Sequence, residues 1–134
     1  MQRVLGIDYG TKRVGIAYSD EGGNFALPLA VLINDQHLIE AVVATAQEYD
    51  VSVVVLGESK DFNQGDNPIM LEVRAFADSL VRSGFTVVFE PELFTSAAAE
   101  RLQGKSVTTD ASAAALILQS YLDKRRSTDA TINS

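Results

Sequence analysis

Apolar and polar residues alternate in short runs along the first quarter of the chain, in the manner of an antiparallel sheet. Runs rich in aliphatic and β-branched residues lie at 4–7, 14–18 and 27–33, separated by short stretches that contain glycine. Gly10 in the first connection is expected to adopt a positive φ, and Pro28 suits an edge strand. The pattern predicts three strands joined as an antiparallel meander.

The remainder of the chain alternates between helical and strand patterns. Apolar residues repeat at helical spacing in four stretches and form continuous runs in two. The predicted elements are helices over 35–50, 68–83, 95–104 and 110–126 and strands over 51–56 and 85–89. Asn34 or Asp35 is the expected N-cap of the first helix. This order predicts that the strands are parallel and joined by right-handed crossovers. We expect one domain over 1–126, followed by a polar, disordered tail over 127–134.

Composition excludes several kinds of site. The 134 residues include no cysteine and one histidine, so disulfides, thiolate sites and His-rich zinc sites are excluded, and oxygen atoms would hold any metal. No apolar stretch has the length of a membrane span or signal peptide, so we expect a cytoplasmic protein with no membrane partner. The net charge of −7 argues against tight non-specific nucleic-acid binding.

Three carboxylates occur where strand ends and a helix start are expected to meet. Asp8 ends an otherwise apolar strand, so its charge must face water, a hydrogen-bond donor or a cation; an Asx-turn with Gly10 or Thr11 explains it equally well. Glu92 follows the last strand, where a solvated acidic turn formed by Glu90-Pro91-Glu92 is the ordinary interpretation. Asp110 opens the last helix, where capping is the ordinary interpretation.

The phase of the last helix adds to the case for Asp110. Asp110 shares a helix face with Ala113, Ala114 and Ile117, which predicts that its carboxylate is directed toward the sheet. A group of three carboxylates suits two-metal phosphodiester hydrolysis, in which hard divalent cations roughly 4 Å apart activate water and stabilise the leaving oxygen. Asp8, on a rigid strand, would bridge the two ions.

Three stretches resemble the signatures of the YqgF family: GIDYGTKRVGIA at 6–17, ELFTS at 92–96 and DASAAALILQSYL at 110–122. These RNase H-like proteins are described as Holliday junction resolvases and as nucleases that trim the 5′ end of the 16S rRNA precursor. The resemblance implies an α/β fold with a five-stranded mixed sheet, three strands antiparallel and two parallel, and helices on both faces. It also implies that Asp8, Glu92 and Asp110 are catalytic residues that bind two Mg²⁺ or Mn²⁺ ions.

The chain departs from the family pattern at two places. Leu93 stands where the family usually has an arginine able to hold the scissile phosphate, and Glu58-Ser59 replaces the usual Leu-Pro. The implied strand order brings Glu58 close to Asp8, so Glu58 is a candidate fourth metal ligand, with a solvated loop glutamate as the alternative. The candidates for nucleic-acid contacts at the same end of the sheet are Thr11, Lys12, Arg13 and Lys60, with ordinary exposed polar side chains as the alternative.

Three functional hypotheses follow from these residues. The first is a metal-dependent nuclease that acts on structured RNA or branched DNA, and the second is a module of the same fold that binds nucleic acid without turnover. The third follows from Asp8-Tyr9-Gly10-Thr11, which also resembles the phosphate-binding hairpin of the actin, sugar-kinase and Hsp70 ATPases. Those proteins bind nucleotide between two such domains. A resolvase would require a symmetric homodimer, whereas an rRNA-trimming enzyme would not.

Overall fold

The structure, a computed structural model, describes residues 3–58, 68–91 and 110–133, with side chains described except at Pro68, Asp110 and 127–133. The helix predicted over 95–104 lies outside these residues. The described elements are β1 (Arg3–Tyr9), β2 (Arg13–Ser19), β3 (Ala26–Ile33), α1 (Leu38–Glu48), β4 (Val51–Glu58), α2 (Pro68–Arg82), β5 (Thr86–Pro91) and α3 (Asp110–Asn133). In these ranges no helix is long and apolar enough to cross a bilayer.

One five-stranded sheet has the order β3-β2-β1-β4-β5. The pairs β1–β2 and β2–β3 are antiparallel, whereas β1–β4 and β4–β5 are parallel. This topology confirms the predicted meander followed by two parallel strands, with β1 at the centre. Pro28 lies in the edge strand β3 beside a shift of register, where its missing N–H interrupts no ladder.

Apolar side chains fill both faces of the sheet. Leu5 and Ile7 of β1 pack with α1 and α2 in one core cluster, whereas Val4 packs with Leu118 and Leu122 of α3 in the other. Neighbouring strand residues point to opposite faces, so odd-numbered β1 residues face α1 and α2 and even-numbered ones face α3. The predicted cover of helices on both faces is confirmed.

Gly6 sets the distance between α3 and the sheet. A Cβ added at Gly6 would lie 2.6 Å from the Cβ of Leu118 and 3.1 Å from the carbonyl oxygen of Ala114. Cβ atoms do not approach each other this closely in well-packed interiors. The missing side chain at residue 6 therefore allows the helix to lie directly against the backbone of the central strand.

Two local predictions about turns are wrong. The helix α1 begins at Leu38 with His37 as N-cap and no side-chain cap, because the carboxylate of Asp35 accepts a hydrogen bond from the His37 N–H at 2.9 Å in the turn before it. Gly10 is absent from the positive-φ glycines, which in the described ranges are Gly23 and Gly84. Gly10 is required for space instead, since its Cβ would lie 2.5 Å from the Arg13 carbonyl oxygen.

The last helix extends beyond its predicted end. Helix α3 begins at Asp110 as predicted but continues to Asn133, so the predicted end of the helix at Arg126 is wrong. The stretch from Ser127 to Asn133 contains no glycine or proline, and therefore nothing in it forces the backbone out of the helix.

We expect Gly6→Ala to destabilise the fold by about 1–3 kcal/mol, because the added methyl group forces α3 away from β1. Urea unfolding measures this change as a lower midpoint with an unchanged slope. Gly22→Ala is the matched control, since its Cβ would meet only side-chain atoms, at the end of Asn24 and on the carboxylate of Asp20. Equal stability of the two variants would contradict the close-contact explanation.

The turn after β2 predicts a pH-dependent contribution to stability. The Asp20 carboxylate accepts hydrogen bonds from the N–H groups of Phe25 at 3.0 Å and Asn24 at 2.8 Å, and these bonds hold the pKa of Asp20 below its ordinary value. A carboxyl group with a lowered folded-state pKa stabilises the fold above its unfolded-state pKa, and this contribution is lost as pH falls through the folded-state pKa.

We therefore expect the parent chain to be more stable than Asp20→Asn at neutral pH. Their unfolding midpoints should converge as pH falls from the ordinary carboxyl pKa through the lowered folded-state pKa of Asp20, because the carboxyl group is then neutral like asparagine in both states. Urea unfolding across this pH range measures the difference, and a difference that stays constant would contradict the assigned cause.

Candidate active site

Asp8 lies near the C-terminal end of the central strand β1. Its side chain is half-buried, and its backbone pairs with Gly15 of β2. Because residues two apart on a strand share a face, Asp8 belongs with Val4 and Gly6 to the face covered by α3. The carboxylate therefore projects from a rigid strand at the edge of a covered face, as a pre-organised ligand requires.

Glycines flank Asp8 on both neighbouring strands. Gly15 is its partner on β2, and on the other side Ile7 pairs with Leu56 of β4, so the next step along the strands brings Asp8 beside Gly57. Neither glycine has a side chain on the α3 face. Both glycines are buried, so Asp8 has no neighbouring side chain from either adjacent strand at its own level of the sheet.

The start of α3 lies close to the same part of the sheet. Ala114 contacts Gly6, as described above, and Asp110 precedes Ala114 by one turn, or about 6 Å along the helix. Asp8 follows Gly6 by two residues, or about 7 Å along the strand. The backbones of Asp110 and Asp8 are therefore each within about one helical turn of the same contact.

Two predicted site residues lie outside the described part of the structure, and the side chain of a third is not described. Glu92 follows Pro91, the last residue of β5, and Lys60 follows β4; both lie outside the described residues. The backbone of Asp110 is described as the first residue of α3, but its side chain is not. Among the described side chains, no three acidic or histidine residues converge as a metal site.

Glu58 lies on the opposite face of the sheet from Asp8 by its strand position. Val54 and Leu56 of β4 pack in the core cluster formed with α1 and α2, and Glu58 continues the same alternation at the end of the strand. The prediction for Glu58 used the order of the strands, which is correct, but did not consider that side chains alternate between the two faces along a strand. The structure thus lends no support to Glu58 as a fourth ligand.

The basic connection between β1 and β2 is exposed and anchored. Thr11, Lys12 and Arg13 are all exposed. The Asn34 side-chain amide donates to the Gly10 carbonyl oxygen at 2.8 Å, and the Asn34 backbone N–H donates to the carbonyl oxygen of Lys12 at 2.9 Å. Sequence analysis treated Asn34 as a helix cap and missed this role. The cationic side chains therefore project from a fixed loop next to Asp8.

Glu90 is a buried charge that sequence analysis did not identify. Its side chain is 5% exposed, and its carboxylate accepts hydrogen bonds from Lys124 Nζ at 2.5 Å and Ser120 Oγ at 3.2 Å. The interpretation of Glu90 as part of a solvated turn is wrong. The alternation of Val88 and Glu90 on one face of β5 was the available signal.

The donor chemistry suits a hard divalent cation. The chain offers carboxylate oxygens and no thiolate, and Asp8 presents one such carboxylate between two glycines at a strand end. Mg²⁺ and similar ions prefer oxygen ligands and retain several water molecules. The half-buried carboxylate of Asp8 is of the type that such an ion prefers.

One family of known proteins matches almost the whole chain. The family described as "RuvX: Holliday junction resolvase" matches residues 2–124. A protein of Sulfurihydrogenibium sp. (strain YO3AOP1), named "Putative pre-16S rRNA nuclease", is 31% identical over 133 residues, or 92% of each chain. A protein of Geobacillus thermodenitrificans (strain NG80-2) with the same name is 36% identical over 138 residues, which cover 92% of this chain and 99% of the relative.

Solved structures show the same architecture at lower sequence identity. The structure of T. thermophilus RuvC in complex with a Holliday junction substrate has a TM-score of 0.64 and 16% identity, and the match covers 94% of this chain and 96% of RuvC. The fowlpox virus Holliday junction resolvase has a TM-score of 0.54 and 19% identity, with 92% and 99% covered. These similarities confirm the predicted RNase H-like fold.

Proposed function

Because the chain belongs to the RuvX family of Holliday junction resolvases and is a nuclease, we propose that it hydrolyses phosphodiester bonds in structured nucleic acid with Mg²⁺ or Mn²⁺. The proposed substrate is the 5′ end of precursor 16S rRNA, in the cytoplasm. The names of relatives that share 31% and 36% of their residues with this chain favour it. A four-way DNA junction is the second candidate, which the description of the family favours.

The position of Asp8 is the observation that carries this proposal. Asp8 projects from the central strand between two glycines, and α3 packs within one turn of Asp110 against the same strand. We assign Asp8, Glu92 and Asp110 as the ligands of the metal ions, with Asp8 as the shared ligand. When bound, two such ions supply an activated water and stabilise the leaving oxygen.

The substrate would be positioned by the exposed loop between β1 and β2. Thr11, Lys12 and Arg13 are adjacent to Asp8 along the chain and are all exposed, and we assign them, together with Lys60, as contacts to backbone phosphates. Phosphate contacts fix the register of a nucleic acid without reading its sequence. Substrate choice would then depend on the shape of the RNA or DNA.

The two substrate candidates differ in the assembly they require. Symmetric cleavage of a four-way junction requires two active sites related by a two-fold axis, and therefore a homodimer. Trimming a single RNA end requires one active site. A monomer that cleaves precursor rRNA would support the first candidate, whereas a dimer that cleaves a four-way junction symmetrically would support the second.

We expect Asp8→Asn to lower cleavage of labelled precursor rRNA or a four-way junction by at least about 100-fold in Mg²⁺ or Mn²⁺. The loss of several kcal/mol of transition-state stabilisation corresponds to this factor. Asp78→Asn, an exposed change on α2, is the matched control and should cleave like the parent. Cleavage that survives in Asp8→Asn would point to a contaminating nuclease and contradict the proposal.

We expect Lys12→Ala and Arg13→Ala each to weaken binding to RNA and DNA of any sequence. Each lost phosphate contact should reduce the slope of log affinity against log salt concentration by about 1. Fluorescence anisotropy at several salt concentrations measures the slope. Arg82→Ala, at the end of α2 that precedes β5, is the control, and an equal change in its slope would show that the effect is not specific to the loop.

A further inference from the structure

The buried cluster of Glu90, Ser120 and Lys124 connects two elements that otherwise meet at few points. Glu90 lies on β5, an edge strand paired only with β4 in the described sheet, whereas Ser120 and Lys124 lie on α3. Lys124 is 57% exposed on its side chain, but its ammonium group reaches the buried carboxylate at 2.5 Å. This ion pair therefore links the end of β5 to the helix across the edge of the sheet.

The cluster lies at the level of Asp8 on the same face. Glu90 pairs with Gly57, and Gly57 lies beside Asp8, so Glu90 and Asp8 are two strand spacings, or about 10 Å, apart. Glu90 also precedes Glu92 by two residues, and the helix that carries Lys124 begins at Asp110. The link thus joins β5, which ends one residue before Glu92, to α3, which begins at Asp110.

We propose that Glu90, Ser120 and Lys124 are positioning residues, which fix β5 against α3 so that Glu92 and Asp110 are held in register with Asp8. This inference rests on the proposed metal site. A buried ion pair adds little net stability compared with apolar packing, and its best-attested benefit is to specify one arrangement. An edge strand whose end carries a ligand requires such a constraint, because the sheet restrains it on one side only.

The proposal predicts a change in metal affinity that is opposite in sign to the change expected from charge alone. Removing the positive charge of Lys124 near a cation site would, by Coulomb's law alone, strengthen cation binding. Loss of the ion pair would instead release the end of β5 and thereby weaken cation binding. The direction of the change in metal affinity therefore separates positioning from a through-space effect of charge.

The test is titration of the full chain with Mn²⁺, with the free ion measured by electron paramagnetic resonance. We expect Lys124→Met to weaken Mn²⁺ binding by about 10- to 100-fold, as loss of an outer support of metal ligands typically does. Lys124→Arg keeps the charge and the reach and should bind like the parent. Ser120→Ala keeps both charges and should weaken Mn²⁺ binding by about three- to tenfold. This variant tests the proposal even if Lys124→Met fails to fold.

Gln119→Leu is the matched control for general destabilisation. Gln119 also anchors α3, since its side chain accepts from the Ala26 N–H at 2.8 Å and donates to the Asn24 carbonyl oxygen at 2.9 Å. These contacts lie at the opposite end of the sheet from Asp8, so Gln119→Leu should lower the unfolding temperature without changing Mn²⁺ affinity. Equal weakening in this variant would reduce the cluster to a structural role and overturn the proposal.

The remaining outcomes are also decisive. Unchanged or tighter Mn²⁺ binding in Lys124→Met, parental binding in Ser120→Ala, or no binding by the parent chain overturns the proposal. If the parent binds Mn²⁺ and Lys124→Met binds it more weakly, but neither cleaves nucleic acid, the positioning role stands and the proposed nuclease substrate fails. If the parent cleaves and all variants bind alike, the nuclease stands and the positioning role fails.

Discussion

The close approach of α3 to β1 at Gly6 is the constraint on which the candidate site depends. A Cβ at residue 6 would lie 3.1 Å from the backbone oxygen of Ala114, so any side chain there would force the helix away from the strand. Asp110 precedes Ala114 by one helical turn, or about 6 Å along the helix. A helix held further from the sheet would therefore also move the proposed ligand Asp110 away from the central strand.

Small residues extend this effect across the α3 face. Gly15 and Gly57 flank Asp8, Ala17 pairs with Gly6, and Ala111 of the helix is buried. The opposite face is built from larger aliphatic and aromatic side chains under α1 and α2. The two faces therefore differ in their roles. The face under α1 and α2 supplies most of the apolar burial that stabilises the fold, whereas the α3 face has smaller side chains around the candidate site.

Much of this architecture follows from the sequence, because periodicity reports the alternation of buried and exposed positions. The short apolar runs of the first three strands, and the run apolar on both faces in β4, predict the strands of the sheet, and the family resemblance implies their order. Asp8 was identified because a charge that ends an apolar strand requires an explanation. Local signals also predict the start of α3 at Asp110 and the stop of α2 at Gly84, whose φ is +101°.

The features that sequence missed depend on contacts between distant segments. Asn34 has the residue type of a helix cap, but its amide binds the Gly10 carbonyl across the sheet. Gly10 has the residue type of a left-handed turn, but the crowding that requires it comes from the Arg13 carbonyl. The pairing of Glu90 with Lys124 spans 34 residues, and no local pattern indicates which of many charges will meet.

The charge of the chain is consistent with a nucleic-acid substrate once its distribution is considered. The net charge is −7, and two divalent cations add +4, which leaves −3. Exposed charges act over about 8 Å at physiological ionic strength, so a phosphate near Asp8 would be affected mainly by the proposed metal ions and by Lys12 and Arg13. Acidic residues elsewhere on the surface act weakly at that distance and reduce unspecific attraction to nucleic acid. Binding of nucleic acid would then depend on metal at the site. The acidic chain would act selectively, because its net negative charge disfavours binding of the substrate to the rest of the surface.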